Sequence, residues 1–315
     1  MVIRLEKVLR EFEIYDRSTP DRENLLFDSH MPDRDGKLVK FTRYIPDSSD
    51  GWIETVVRMN GTEVIGSGED PRPFVWQNSV CVASQTFNPA HAFVNKFYIC
   101  DQDRWITLIP ATRITPGKNW APFVRDEELY FVHEYSPFRV MKAKFIHPRD
   151  DFMVLDIVAE HDIETATSLD GYSSFRGGAN GVQIGDVILG IGHTNTHSDD
   201  TLESIVHRPF IWVYHPDTSL TYYELDFEFP DTYRIVDPTA LYLQDGKLFL
   251  TTSETEFVWN VTGQKGRSCL YSLDITGESH ENGFGLGRRR LHWWPHDAPP
   301  KKRWFLGAWG RSKGA

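Results

Sequence analysis

The chain has 315 residues, of which 40% are hydrophobic and 25% charged, a balance that excludes a disordered protein. A net charge of −11 argues against nucleic acid as the main partner, because phosphate backbones bind to basic surfaces. The sequence contains neither a run of roughly 18 apolar residues nor an apolar leader. We therefore expect no membrane contact. The three cysteines form no CxxC or metal-ligand spacing, which fits a reducing compartment, so we expect a cytoplasmic protein.

Aromatic residues make up 13% of the chain, a share that favours β strands and also suits the packing of rings on sugars. At the start, Val2, Leu5 and Leu9 follow helical spacing, so residues 2–12 predict either a short amphipathic helix or a closing outer strand. No long helical pattern follows, and the sequence therefore predicts an all-β protein.

From residue 25 onwards, β-type segments alternate with polar turns. Residues 25–32 and 37–45 flank Asp33–Gly36, and the next two segments flank Asn60-Gly61. Asp-Gly and Asn-Gly between β-rich flanks are strong hairpin signals. Further hairpins of this form are predicted around residues 77–78, 125–128, 185–186 and 244–246.

Polar residues followed by a β-type segment recur along the chain at intervals of about 40 to 60 residues, which is typical of a β-propeller. The recurring positions are Asp28, Asp70, Asn119, Gly178 and Asp237. Five such units fit this length, so we predict a single domain over residues 1–315, an all-β, five-bladed β-propeller.

The end of the chain, from about residue 288 to residue 315, is a basic, Trp-rich tail. We interpret Arg288–Arg290 as a solvated face or tail contact. We interpret Trp293, Trp294 and Trp304 as packing residues or contacts in a homo-oligomer rather than as a platform for a sugar. Residues 195–200 are polar and resemble a solvated loop more than a metal site.

In a propeller, the polar starts of the units converge on one axial pocket. The candidates for this pocket are Asp70, Arg72, Lys118, Asn119, Arg176, His193 and Asp237, with Arg43 and Arg139 as further cations. A cation-rich set with one or two carboxylates suits phosphate, a sugar phosphate or a sugar nucleotide. Each candidate also has a structural alternative. Asp70 and Asp237 precede proline, for example, as turn-forming aspartates do.

The order of these motifs resembles five-bladed propeller enzymes of carbohydrate metabolism. The motifs are Asp28-Ser29-His30, Glu69-Asp70-Pro71-Arg72, Lys118-Asn119, Arg176-Gly177-Gly178 and Asp237-Pro238. The chain is most similar, over residues 22–260, to the β-mannoside phosphorylase and hydrolase family, glycoside hydrolase family 130. It departs from that family at Asp28-Ser29-His30 and at Trp120.

The resemblance implies that Asp70 donates the proton and that Lys118 and Arg43 contact phosphate, with Arg58 as an alternative to Arg43. We therefore expect an enzyme that cleaves a glycosidic bond, β-mannosidic in the nearest family, by phosphorolysis or hydrolysis. The expected catalytic residues are Asp70 and Asp237. The expected phosphate ligands are Arg43, Lys118 and Arg176, and the expected substrate contacts are Glu69, Arg72, Asn119, Tyr135 and His193.

We expect a carbohydrate substrate, with inorganic phosphate as a co-substrate of phosphorolysis, and neither a metal nor another cofactor. Two other functions fit the same residues. A glycosyltransferase would use the cations to hold the phosphates of a sugar donor. A non-catalytic propeller would bind a glycan in the same pocket.

Overall fold

The computed structural model describes residues 2–16, 24–45, 55–88, 92–114, 117–162, 174–197, 205–224, 233–255 and 265–276. In these ranges the regular structure is all-β, apart from one 3-10 turn at Cys100–Gln102. No described helix is long and apolar enough to cross a membrane. The predicted tail from residue 288, and residues 198–200 of the predicted polar loop, lie outside the described ranges.

The strands fall into three sheets. The first sheet contains β2 (Asn24–Pro32), β3 (Leu38–Ile45), β4 (Val56–Met59) and β5 (Glu63–Ser67). The second contains β6 (Glu69–Trp76), β7 (Ser79–Asn88), β8 (Ala92–Ile99), β9 (Arg104–Pro110), β10 (Ala121–Arg125), β11 (Glu128–Tyr135), β12 (Phe138–Lys144) and β13 (Phe152–His161). The third contains β1 (Val2–Asp16), β14 (Ser174–Arg176), β15 (Val182–Ile184), β16 (Val187–His197), β17 (Ile205–His215), β18 (Leu220–Glu224), β19 (Ile235–Gln244), β20 (Lys247–Thr255) and β21 (Lys265–Thr276).

Antiparallel pairing divides the described strands into five groups. Group 1 is β2–β5, group 2 is β6–β9, group 3 is β10–β13, and group 4 is β14–β18. Group 5 is β19–β21 together with β1. Parallel contacts join β9 to β13 and β17 to β19, so groups 2 and 3 share a sheet, as do groups 4 and 5.

The N-terminal strand β1 completes group 5 by pairing along the whole length of β21, from Val2 opposite Thr276 to Asp16 opposite Lys265. The closing-strand interpretation of residues 2–12 is therefore right, and the alternative of an amphipathic helix is wrong. Pairing with the long strand β21 provides hydrogen-bond partners for the backbone N–H and C=O groups of β1. This tertiary contact outweighs the helix-like spacing of a few apolar residues.

The predicted hairpin turns are confirmed, and their backbone geometry explains the residues in them. Asn60-Gly61 has φ values of 50° and 88°, Gln77-Asn78 has 50° and 63°, and Asp245-Gly246 has 50° and 74°. Two successive positive φ values match the right-handed twist of the flanking strands and favour Asn, Asp and Gly. These turns therefore fix the register of their hairpins.

The hydrophobic core lies between neighbouring groups. Of the four core clusters in the described residues, one joins groups 5, 1 and 2, and the others join groups 2 and 3, groups 3 and 4, and groups 4 and 5. Representative members, in the same order, are Tyr242, Met31 and Val82; Phe97 and Phe131; Phe138 and Trp212; and Leu241 and Leu189. Each group is thus packed against the next around a closed circuit.

A close approach between β16 and β17 allows one of the largest core side chains to fit. Gly190 lies directly opposite Trp212, which is fully buried. A Cβ at Gly190 would lie only 2.1 Å from the indole of Trp212. The glycine therefore leaves the space that the indole occupies.

We predict that Gly190→Ala lowers the free energy of unfolding by about 1–3 kcal/mol, because the added methyl group overpacks the core. Gly117→Ala is the matched control, because its Cβ would have no neighbour nearer than 3.6 Å. We expect the control to change stability by less than about 1 kcal/mol. Denaturant titration measures both, and equal effects of the two substitutions would contradict the prediction.

Candidate active site

The first strand of group 2 holds the centre of the site together. β6 packs against β2, β10 and β19, the first strands of groups 1, 3 and 5. Arg72, on β6, is 2% exposed, and its Nη1 donates a hydrogen bond of 2.7 Å to the carbonyl oxygen of Pro238 on β19. Its guanidinium also lies 5.3 Å from the ring centre of Phe27 on β2. The polar starts of these strands therefore meet.

Two adjacent carboxylates lie beside Arg72. Asp70 has φ = 45°, at an irregularity in the β6–β7 pairing that separates Glu69 from Arg72. Nη1 of Arg43 lies 2.8 Å from Oδ1 of Asp70, and Nη2 of Arg43 lies 3.7 Å from Oε2 of Glu69. Nζ of Lys118 lies 3.8 Å from the same Glu69 oxygen. Two cations from neighbouring groups thus hold the carboxylate pair.

The two carboxylates differ in proton affinity. Burial acts to raise the pKa of Asp70, but Arg43, Lys118 and Arg72 outweigh it, so this pKa lies below its ordinary value. Burial is the largest influence on Glu69 and raises its pKa despite Arg43 and Lys118. Oε1 of Glu69 has no hydrogen-bond partner within the described ranges. Asp70 is therefore ionised at neutral pH, and Glu69 is the member of the pair that takes up a proton more readily.

A second carboxylate centre also interacts with Arg72. Nδ1 of His207, on β17, lies 2.8 Å from Oδ1 of Asp237, on β19. Nδ1 of His193, on β16, lies 3.7 Å from the same oxygen, and the two imidazole centres are 4.5 Å apart. Burial acts to raise the pKa of Asp237, but the two histidines and Arg72 hold it well below its ordinary value. Burial also lowers the pKa of His193, which is therefore neutral.

The two carboxylate centres are attracted to the same two arginines. Both Asp70 and Asp237 interact electrostatically with Arg72 and with Arg176, although burial lowers the pKa of both guanidinium groups. Asp70 and Asp237 also raise the energy of each other's charge, as like charges do. The structure thus brings Asp70, Lys118, Arg176 and Asp237 into one electrostatically coupled region.

Close backbone packing links the other motifs to this region. A Cβ at Gly177 would lie 1.5 Å from the carbonyl oxygen of Asn119 and 3.4 Å from the hydroxyl oxygen of Tyr135. Only glycine permits this approach. Asn119, with φ = 65°, is buried, and its side-chain oxygen lies 3.5 Å from Nε2 of Gln85. Tyr135 is buried edge-on against Trp212, and burial raises the pKa of its hydroxyl.

Two features of the site differ from the sequence-based expectations. Arg139 was expected among the pocket cations, but its ion pairs are with Glu134 and Glu160 on β11 and β13, so it belongs to the sheet of group 3. His207 was not predicted, although it is the nearest partner of Asp237. It lies in a β-type segment outside the recurring motifs, and the pairing of β17 with both β16 and β19 brings it to Asp237.

Comparison with known proteins supports the fold. No model of a known protein family matches the chain, and a search of curated proteins gives no match. MPT-1, a GDP-Man-dependent mannosyltransferase from Leishmania mexicana, superposes with a TM-score of 0.52 at 16% identity. The match covers 79% of this chain and 86% of MPT-1.

A second solved structure comes from glycoside hydrolase family 130, described as mannoside phosphorylases that include hydrolases of β-1,2 mannosidic linkages in Candida mannan. Its TM-score is 0.51 at 12% identity, with 79% of this chain and 84% of that chain covered. A protein from Leishmania major gives 0.51 at 14% identity, with 81% and 86% covered. These likenesses confirm the resemblance to this family at the level of the fold.

We predict that Arg43→Met raises the pKa of Asp70, because Arg43 is the cation that lowers this pKa most. Titration of carboxyl carbons by NMR measures this change. Arg104→Met is the control, since Arg104 pairs with the exposed Asp151. An unchanged pKa of Asp70 in Arg43→Met would show that Arg43 is not its main counter-charge.

Proposed function

We propose that the protein is a carbohydrate-active enzyme that cleaves a glycosidic bond, and that phosphate is the attacking group. The observation that carries this proposal is the pairing of two carboxylate centres, Asp70 with Arg43 and Asp237 with His207, around the shared arginines Arg72 and Arg176. Such a region provides a carboxylate that can act on the leaving group and cations that can hold the attacking phosphate.

The scaffold that we propose is a single five-bladed β-propeller, in which each strand group is one blade. Two observations support it. The core clusters connect the groups in the circular order 1, 2, 3, 4, 5 and back to 1. In addition, β1 pairs with β21, so that one group draws strands from both ends of the described chain. In this arrangement the site lies at the propeller axis.

We also propose a cytoplasmic location, which suits the free thiols of Cys81, Cys100 and Cys269.

Phosphorolysis fits the charges better than hydrolysis does. Hydrolysis requires a carboxylate base to activate water. Asp237 is a weak base because its pKa is held low, and its Oδ1 already accepts a hydrogen bond from His207. Phosphate is already an anion and needs no base. We assign Arg176 to hold it, because Arg43 and Lys118 are partly neutralised by Glu69 and Asp70.

In this reaction, a phosphate oxygen forms a bond to the anomeric carbon while the bond from that carbon to the leaving oxygen breaks. The leaving oxygen takes a proton. We assign its delivery to Asp70, which the family resemblance also implies. Because the pKa of Asp70 is low, only a small fraction of the protein carries this proton at neutral pH. In that fraction, a hydroxyl of the bound sugar passes its own proton to the leaving oxygen and takes the carboxyl proton of Asp70 in exchange. The Asp70 carboxylate takes a new proton from water after the products leave.

Several residues would bind the sugar around these groups. We assign Glu69, Asn119, Tyr135, His193 and Asp237 to substrate contacts, with Arg72 orienting Asp70 and Asp237 from within the core. The buried aromatic ring of Tyr135 and the buried polar groups beside it suit a site that excludes water. β-Mannosides are the first substrates to test, because both named solved structures are described as acting on mannose or mannosides.

The second candidate is a glycosyltransferase. The likeness to MPT-1, described as a GDP-Man-dependent mannosyltransferase, favours it. In that reaction Arg176 and Lys118 would hold the phosphates of the nucleotide sugar, and the sugar would pass to an acceptor hydroxyl. The same residues would thus serve the reverse role, stabilising a phosphate-bearing leaving group rather than an attacking phosphate.

We predict that Asp70→Asn reduces turnover of an aryl β-mannoside by at least about 100-fold, as loss of a proton-transfer group does. The assay compares the substrate with and without phosphate, and mannose 1-phosphate or GDP-mannose with acceptor sugars. Asp151→Asn is the control, because Asp151 is exposed and pairs only with Arg104 among the described ion pairs. Full activity of Asp70→Asn, with an unchanged fold by circular dichroism, would remove Asp70 from the reaction. Saturable sugar binding without turnover of any substrate would instead support a binding protein.

We predict that Arg176→Ala raises the KM for phosphate by about 10- to 100-fold, the loss expected for a hydrogen bond to a charged group. Arg149→Ala is the control, because Arg149 is exposed on the loop after β12. Initial rates at varied phosphate and saturating glycoside measure the effect. An unchanged KM for phosphate in Arg176→Ala would contradict the assignment of Arg176 as the phosphate ligand.

A further inference from the structure

We propose that His193, His207 and Asp237 form a binding site for one divalent transition-metal ion, with Zn²⁺ as the reference ion. The proposal does not rest on the proposed function, because metal binding is measured without a sugar or phosphate. It would place a second cation in the region where the reaction proposed above uses Arg176 to hold the phosphate.

The three side chains come from adjacent strands and converge on one point. His193 lies on β16, His207 on β17 and Asp237 on β19. Their nearest ligand atoms all lie within 4.8 Å of one another. Oδ1 of Asp237 is 2.8 Å from Nδ1 of His207 and 3.7 Å from Nδ1 of His193. Ligands on one Zn²⁺ at about 2.0–2.2 Å lie about 3.3 Å apart in a tetrahedron, so these two distances bracket the required value.

His193 provides an independent sign of a ligand. The residue is 1% exposed, and its Nδ1 accepts or donates no hydrogen bond in the described structure. A buried polar atom without a partner is rare in native proteins. The atom faces Asp237 across 3.7 Å, too far for a hydrogen bond. A metal ion between the two would satisfy it.

The donor set selects the class of ion. Two imidazole nitrogens and one carboxylate oxygen suit Zn²⁺, Co²⁺, Fe²⁺ or Mn²⁺, whereas Ca²⁺ and Mg²⁺ require mostly oxygen ligands. The three protein ligands leave at least one coordination position for water or substrate. The ion would replace the proton between His207 and Asp237. His207 would then carry its proton on Nε2.

The surrounding charges oppose the ion. Arg72 and Arg176 repel a cation, although each also interacts with both Asp70 and Asp237. With Arg43, Lys118 and Glu69, the region holds four cations and three carboxylates, so the bonds from the three ligands to the ion must outweigh one excess positive charge. The ion would also be reachable, because the side chain of Asp237 is 18% exposed whereas that of His193 is 2% exposed.

The test uses the full-length protein after removal of metals with a chelator. Equilibrium dialysis against Zn²⁺ is expected to give one bound ion per chain, and Co²⁺ is expected to give the visible absorption of a site with nitrogen and oxygen ligands. The same Co²⁺ spectrum should disappear when Zn²⁺ is added. The absence of a stoichiometric ion, or a Co²⁺ spectrum equal to that of the hydrated ion, would overturn the proposal.

Variants assign the site. His207→Ala and His193→Ala should each weaken Zn²⁺ binding by at least about 100-fold, since losing only a hydrogen-bond partner of a ligand costs about 10- to 100-fold. His161→Ala is the matched control, because His161 is partly buried and bonded to Thr221 outside the cluster. Zn²⁺ should raise the unfolding temperature of the wild type and the control but not of the two variants. Equal Zn²⁺ affinity in all four proteins would place the ion elsewhere and overturn the proposal.

Discussion

The buried guanidinium of Arg72 is the constraint on which the centre of this molecule depends. A cation that is 2% exposed must be compensated, and Arg72 is compensated by a carbonyl from another strand group and by the carboxylates of Asp70 and Asp237. The hydrogen bond to Pro238 ties β6 to β19, while Asp70 and Asp237 face the charge. The same group that holds two strand groups together therefore sets the electrostatics of the site.

Within this arrangement, Glu69 differs from Asp70 and Asp237 in proton affinity. Asp70 and Asp237 are surrounded by cations or imidazoles and stay ionised, whereas burial raises the proton affinity of Glu69. Pairs of titratable groups with opposed shifts are typical of sites where protons move. The charge pattern also couples the region, because changing either Asp70 or Asp237 alters the field at both Arg72 and Arg176.

The sequence predicts local features of this fold well, because short-range chemistry determines them. The Asn60-Gly61 and Asp245-Gly246 turns need positive φ, and these residues tolerate it. The repeated polar starts also identified Asp70 and Asp237, which the structure brings into one region. The closing strand was ambiguous, since residues 2–12 match helical spacing and only pairing with β21 decides their conformation.

Contacts between distant segments could not be predicted in the same way. His207 belongs to a run of β-type residues without a motif, and its role beside Asp237 depends on the contact between β17 and β19. Arg43 was expected to hold phosphate together with Lys118 and Arg176, and the sequence did not show that it also pairs with Glu69 and Asp70. Arg139 resembled the other cations in the sequence, and the ladder of β11, β12 and β13 directs it to two glutamates instead. Each of these outcomes depends on which strands become neighbours.

The pairing of β1 with β21 has a consequence for how the protein matures. During synthesis, β1 leaves the ribosome before the other described strands, and its partner β21 leaves it after them. Until then, β1 presents unpaired backbone groups, a state that invites association with other chains. Contacts between residues so far apart in sequence also slow folding. Among the described strands, β1 is therefore the one whose partner is synthesised last, and its backbone groups stay open to such association for the longest time.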